Sequence, residues 1–133
     1  MNRKSARENA FILIFEKMIK DEETAEEIFM KAEERGLECD DFVKKVFFES
    51  CENKEFIKET IEKSLVGWKQ SRVSFVSRAI LTLSTYELAF MSDIPARVSI
   101  NEAIELAKKY DDEKAYSLVN GVLNAVAEEL DRK

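Results

Sequence analysis

The chain has 133 residues, of which 45% are hydrophobic and 36% are charged, with only three glycines and one proline. This composition favours a single all-α domain, large enough to bury a core of its own. The formal net charge is −6, so any nucleic-acid site must be a local basic patch on a protein that repels polyanions overall. The absence of histidine removes the commonest general base and the commonest zinc ligand, so we expect neither an enzyme nor a metal site.

Other sequence features suggest a cytoplasmic protein without a bound cofactor. No apolar run approaches the roughly 20 residues that a membrane span needs, and the N-terminus lacks the small-residue cleavage site of a secretory signal. Cys39 and Cys51 match no zinc or redox motif and are expected to be free thiols. Gly36, Gly67 and Gly121 are isolated, so no glycine-rich phosphate loop is present.

Four helices are predicted in the first half of the chain. The first covers about residues 3–19 and has an apolar centre. Thr24 and Glu27 have the spacing of a capping box at the start of the second helix, and Gly36 is placed to end that helix. Asn53 separates the third helix from the fourth. The fourth helix has apolar residues at helical spacing: Ile57, Ile61, Leu65 and Trp68.

Three further helices follow a linker at about residues 69–74, which divides the chain into two helical units. The fifth helix is predicted to end near residue 91, with Phe90 among its inward-facing residues. Pro95 prevents a simple continuation. Ser99 and Glu102 form a second capping-box pattern, which predicts the start of the sixth helix. The seventh helix is predicted over about residues 113–130.

Asn120-Gly121 lies inside the predicted seventh helix and has two interpretations. Between apolar residues this dipeptide is typical of a β-hairpin turn. The apolar residues from Ala115 to Leu130 recur at helical spacing, which favours a continuous helix. A glycine within a helix costs about 1 kcal/mol relative to alanine, so Gly121 predicts close approach of another helix. Asn120 then makes either a buried hydrogen bond or a contact with a ligand.

A basic cluster opens the chain. Arg3, Lys4 and Arg7 precede the first acidic residue, at the end of a helix where the macrodipole disfavours cations. The cluster is either a solvated helix start or a site for a polyanion.

Several short motifs in the second half occur in a characteristic order. They are Trp68, Arg72, Arg78, Ile94-Pro95, Ile100-Asn101-Glu102-Ala103, Leu106-Ala107-Lys108 and Val119-Asn120-Gly121-Val122-Leu123. Together with the basic opening, this order resembles the NusB family over essentially the full length. The resemblance implies one domain over residues 1–133, with about seven helices in two packed bundles. It also implies binding to boxA-type single-stranded RNA together with the ribosomal protein NusE, in an antitermination complex on RNA polymerase.

The resemblance also implies two sets of site residues. The RNA-binding set is Arg3, Lys4, Arg7, Lys114, Tyr116, Leu118 and Asn120, and the partner-binding set is Phe15, Ser77 and Arg78. The chain departs from the family pattern at four positions: Ser77 and Lys114 replace acids, Thr82 replaces arginine and Leu118 replaces phenylalanine. Tyr116 is the nearest ring that could replace that phenylalanine, or else it packs in the core.

Two alternative functions remain open at this point. One is a protein-interaction domain of the same fold without affinity for RNA, which agrees with the acidic net charge. The other is the N-terminal module of a ribosomal RNA cytosine methyltransferase, which predicts a catalytic domain beyond residue 133.

Overall fold

A computed structural model describes residues 1–132. Within that range the chain forms seven α-helices, one 3₁₀ turn and no strands, which confirms the all-α prediction. The helices are α1 (Arg3–Ile19), α2 (Ala25–Glu34), α3 (Asp41–Glu52), α4 (Lys54–Ser64), α5 (Phe75–Phe90), α6 (Ala96–Tyr110) and α7 (Ala115–Glu129), and the 3₁₀ turn is Gln70–Arg72. None of these helices is both long and apolar enough to span a membrane.

The boundaries of α1 and α2 confirm the sequence prediction. Asn2 caps α1, and its side-chain oxygen accepts a hydrogen bond from the backbone amide of Ser5 at 2.8 Å. Thr24 and Glu27 form the predicted capping box, each side chain accepting a hydrogen bond from the other's backbone amide. Gly36 follows the end of α2 with φ +93°, a left-handed conformation that favours glycine.

Helix α5 is the centre of the molecule. It packs against α1, α3, α4, α6 and α7, and ten of its sixteen residues are buried. One helical group is α1–α3, and the other is α5–α7 with α4, which packs mainly on α5 and α7. The two groups share one continuous apolar core. The boundary between them therefore lies before α4, and not at residues 69–74 as predicted.

Three local predictions are wrong. Helix α4 ends at Ser64, so Trp68 lies in the connection after it. Helix α6 begins at Ala96, directly after Pro95, and Ser99 is a buried residue inside the helix, not its cap. Phe90 is 43% exposed because it lies at the last position of α5.

Gly121 lies within a continuous α7, as predicted, but its close neighbour is a side chain and not another helix. A Cβ atom at this position would lie 3.0 Å from Cζ2 of Trp68, closer than ordinary van der Waals contact. The glycine therefore accommodates the indole ring of the connection between α4 and the 3₁₀ turn.

Candidate nucleic-acid interface

Two of the three cations at the start of α1 are on the surface. The guanidinium carbon of Arg3 lies 4.1 Å from the centroid of the Phe42 ring, where α3 begins beside α1. The Lys4 ammonium lies 3.7 Å from a carboxylate oxygen of Glu102 on α6, and the Lys4 side chain is 68% exposed. Exposed pairs of this kind contribute little to stability, so both cations remain available to an anion.

Arg7 is buried, so the expectation that it belongs to the surface patch is wrong. Its residue is 5% exposed, and Nε and Nη2 donate to the two carboxylate oxygens of Glu87 at 2.9 and 3.0 Å. The Ser99 hydroxyl donates to the same carboxylate at 3.0 Å. Because Glu87 is only 1% exposed, the pair joins α1, α5 and α6 inside the core. The Arg7 guanidinium therefore neutralises Glu87 inside the protein, where an RNA phosphate does not reach it.

The position of Glu87 in the sequence is a signal from which this buried ion pair could have been predicted. It lies between Tyr86 and Leu88, in a helix whose other members are mostly apolar or small. A carboxylate in such a helix requires a buried cation or a set of hydrogen-bond donors. Arg7, one residue after the buried Ala6, supplies that cation.

The second half of α6 extends the surface from α1 towards α7. Glu8 accepts hydrogen bonds from Lys109 Nζ at 2.8 Å and from the Tyr110 hydroxyl, and these bonds hold the pKa of Glu8 below its ordinary value. One residue earlier on α6, the Lys108 ammonium lies 5.6 Å from the centroid of the Tyr116 ring on α7. Lys108 and Lys109 therefore add two exposed cations that the sequence had not indicated.

The start of α7 presents a cation and a ring to solvent. Asp112 lies in the turn before this helix, and its carboxylate accepts hydrogen bonds from the backbone amides of Lys114 and Ala115 at 3.0 Å each. Lys114 is exposed and Tyr116 is 43% exposed, so the prediction that Tyr116 packs in the core is wrong.

Two more residues of α7 differ from expectation. Leu118 is 2% exposed and belongs to the core, so it offers no surface for a stacked base. Asn120 is exposed, and its side-chain oxygen accepts a hydrogen bond from Asn124 Nδ2 at 3.0 Å. A buried hydrogen bond for Asn120 is therefore wrong, while its contact with a ligand stays a prediction.

A polar cleft of about 260 Å³ separates the 3₁₀ turn from the start of α7. Asp111 occupies one wall, and its carboxylate accepts the hydroxyls of Ser74 at 2.6 Å and of Ser77 at 2.8 Å. Ser77 is fully buried by this arrangement, so the expectation that it meets a partner protein is wrong. Arg72 and Lys114, both exposed, also line the cleft and bring two cations to it beside Asp111 and Asp112.

The two remaining partner-binding candidates lie on α1 and α5. Phe15 is half-buried against Phe11, with ring centroids 6.2 Å apart. Arg78 borders an apolar groove of about 400 Å³ between α1, α3, α4 and α5, and its guanidinium donates to Glu62 at 3.3 Å and to Gln70 at 2.6 Å. Apolar walls of the groove come from Ile14, Met18, Ile57, Ile61 and Phe75.

The two cysteines are free thiols, as predicted. Burial raises the pKa of Cys51 to about 11, so this thiol is protonated and unreactive at neutral pH. Among residues 1–132, no group of three or more acidic or cysteine side chains is arranged to hold a metal ion.

Comparison with known proteins agrees with the fold. A model described as the NusB family matches residues 4–128. The chain belongs to the NusB family. The transcription antitermination protein NusB of Bacillus licheniformis is 44% identical over 131 residues, covering 98% of this chain and 100% of that protein. The protein of the same name from Bacillus subtilis is 39% identical over 132 residues, covering 99% of each.

Solved structures of this family have the same helical arrangement. T. maritima NusB superimposes with a TM-score of 0.84 and 34% identity, covering 97% of this chain and 92% of that one. A crystal structure of the antitermination factors NusB and NusE in complex with dsRNA gives a TM-score of 0.83 and 32% identity, covering 96% of each chain. The names of these relatives describe antitermination factors, which is a non-enzymatic role.

Proposed function

We propose that this protein is a transcription antitermination factor that binds boxA-type single-stranded RNA together with NusE. The observation that carries the proposal is the full-length match to NusB proteins, one of which was crystallised with NusE and RNA. In the cell, the complex would assemble on RNA polymerase. No catalytic step is part of this function.

The RNA surface that we propose runs from the start of α1, across α6, to the start of α7. Its exposed cations are Arg3, Lys4, Lys108, Lys109 and Lys114, with the Tyr116 ring among them. Local cations of this kind allow an acidic protein to hold a phosphate backbone, while Glu8, Glu102 and Glu105 reduce attraction to nucleic acid in general. Arg7, Ser77 and Leu118 are not part of this surface because their side chains are buried.

NusE would bind the face formed by α1 and α5. Phe15 supplies a half-buried ring, and Arg78 supplies a cation at the edge of the apolar groove. Phe75, which is 61% exposed at the start of α5, extends the apolar area beside Arg78. Such a mixture of aromatic side chains and arginine is typical of protein interfaces.

A salt titration of RNA binding tests the RNA part of the proposal. The affinity for a short boxA-type single-stranded RNA is expected to fall linearly with salt on a logarithmic scale, and Lys4→Ala should flatten the slope by about 0.7, the contribution of one phosphate contact. Lys63→Ala is the matched control. Lys63 lies on α4, its side chain is also 68% exposed, and its ammonium pairs with one carboxylate, that of Glu129, at 3.8 Å. Unchanged binding in both variants would remove Lys4 from the surface.

The same assay separates the competing functions. The crystallised relative holds double-stranded RNA, so a duplex of the same sequence is measured in parallel, and stronger duplex binding would contradict the preference for single strands. Absence of binding to either RNA at low salt, with NusE present, would favour the interaction-only function. Capture of NusE should weaken in Arg78→Ala and not in Arg97→Ala, which removes an exposed arginine at the start of α6.

A further inference from the structure

The contact between Arg3 and Phe42 holds a planar cation at the edge of the proposed RNA surface. Phe42 lies in the first turn of α3 and is 9% exposed, while Arg3 is exposed. The guanidinium carbon lies over the ring at 4.1 Å from its centroid, well within the range of a cation–π interaction. Because the Phe42 ring covers the guanidinium on one side, the side that faces away from the ring is the one available to a ligand.

No carboxylate holds Arg3 from another direction. Within residues 1–132, none lies within 4.0 Å of its guanidinium, whereas Lys4 has Glu102 and Arg7 has Glu87. The N-terminal turn of α1 also disfavours a cation. The Phe42 ring is therefore the contact that orients Arg3, and it leaves the hydrogen-bond donors of the guanidinium without an acidic partner.

We propose that Arg3, oriented by Phe42, is a stacking platform for one unpaired base of the bound RNA. The proposal rests on the RNA-binding function proposed above. Unpaired bases stack on guanidinium planes as they do on aromatic rings, and lysine lacks such a plane although it has the same charge. Phe42 is a positioning residue in this arrangement. The RNA surface then extends from α1 onto α3, and it contains an aromatic-backed plane that compensates for the buried Leu118.

Arg3→Lys tests this platform because it keeps the positive charge and removes the plane. Binding to a short boxA-type single-stranded RNA should weaken about tenfold, which is about 1.4 kcal/mol, while the salt dependence stays as in the wild type. Arg35→Lys is the control, since it makes the same exchange at an exposed arginine after α2, outside the proposed RNA surface, and the RNA affinity of this variant should equal that of the wild type. Arg3 is exposed, so neither variant should alter the fold.

A set of RNAs with one abasic position each identifies the stacked base. At one position the abasic substitution should weaken binding to the wild type about tenfold and leave binding to Arg3→Lys unchanged, because the interaction is already lost. In Phe42→Leu, as in Arg3→Lys, the abasic substitution at that position should leave the RNA affinity unchanged. The folding of Phe42→Leu is checked by circular dichroism, and Arg3→Lys carries the test if the Phe42 variant is unstable.

Each result decides for or against the platform. Wild-type affinity in Arg3→Lys, or equal abasic effects in the variant and the wild type, would overturn it and leave Arg3 as a phosphate contact, with the RNA-binding function intact. Failure of the wild type to bind any of these RNAs at low salt would overturn both proposals together.

Discussion

Arg3 and Arg7 lie one helical turn apart on α1, and both guanidinium groups contact the ring of Phe42, at 4.1 and 5.9 Å from its centroid. Their other contacts differ completely. Arg7 is enclosed by α5 and α6 and bound to Glu87, whereas Arg3 has no acidic partner within residues 1–132 and faces solvent. Two arginines in one basic cluster thus serve two purposes: one holds helices together, and the other is free to bind a ligand. Charge along a sequence does not show which is which.

The largest effect is expected for Arg7→Ala. Removing the guanidinium leaves the Glu87 carboxylate buried without its cation, which should cost about 3–5 kcal/mol of the free energy of unfolding. Urea denaturation measures this loss, and Arg3→Ala, within about 0.5 kcal/mol of the wild type, is the control. The double variant Arg7→Met/Glu87→Leu should recover much of the stability because no buried charge remains. A loss below about 1 kcal/mol in Arg7→Ala would show that the pair is open to solvent.

Gly121 provides a similar contrast, between an exposed backbone position and the indole ring next to it. Gly121→Leu should destabilise by about 1–3 kcal/mol, because the side chain overlaps Trp68. Gly121→Ala gains helix propensity but places Cβ 3.0 Å from the same ring, so it should not show the roughly 1 kcal/mol of stabilisation expected at an open helical site. In a Trp68→Leu background the alanine variant should be stabilising. Thermal melts of the wild type, Gly121→Ala, Trp68→Leu and the double variant decide this, and a clear rise in the melting temperature of Gly121→Ala in the wild-type background would contradict the contact.

Tyr116 and Leu118 repeat the comparison on α7, where an exposed ring and a buried side chain lie two positions apart. Tyr116→Ala should weaken binding of boxA-type RNA by about 1 kcal/mol or more if a base stacks on the ring. Its stability should change little. Leu118→Phe should instead lower stability by overpacking the core, without improving RNA affinity. Stronger RNA binding in Leu118→Phe would show that the side chain at this position reaches the surface.

The smallest effect concerns the hydrogen bonds that join Glu8 to α6. Lys109 and Tyr110 lower the pKa of Glu8 from its ordinary value of 4.5, so the ionised carboxylate stabilises the folded state above that pH. This stabilisation is lost as the pH falls through the lowered pKa. The free energy of unfolding of Glu8→Gln should therefore be below that of the wild type at about pH 7, and the difference should shrink at about pH 3. A constant difference at both pH values would mean that the bonds do not depend on the charge of Glu8.

The helices were largely predictable from sequence because their signals are local. Thr24 and Glu27 cap α2 as their spacing indicates, and the limits of α1 agree with its apolar pattern. Ser99 shows why a local pattern can fail: Pro95 had already provided a helix start, and the serine hydroxyl is used to bind Glu87. The family resemblance predicted an RNA surface at the starts of α1 and α7, and this surface stays a prediction. Which of its residues are buried depends on α5 and α6, which lie far along the chain from α1.

The Arg7–Glu87 pair also governs when this protein can fold during its synthesis. The two residues are separated by 80 positions, and the bonds from Glu8 to Lys109 span 101. While the N-terminal half leaves the ribosome, α1 has neither partner, so the arginine stays hydrated and the helix lacks its packing against α5. The cations of α1 and α6 come to lie on one surface only after most of the chain has been made. Ligand binding is thereby restricted to molecules whose translation is nearly finished.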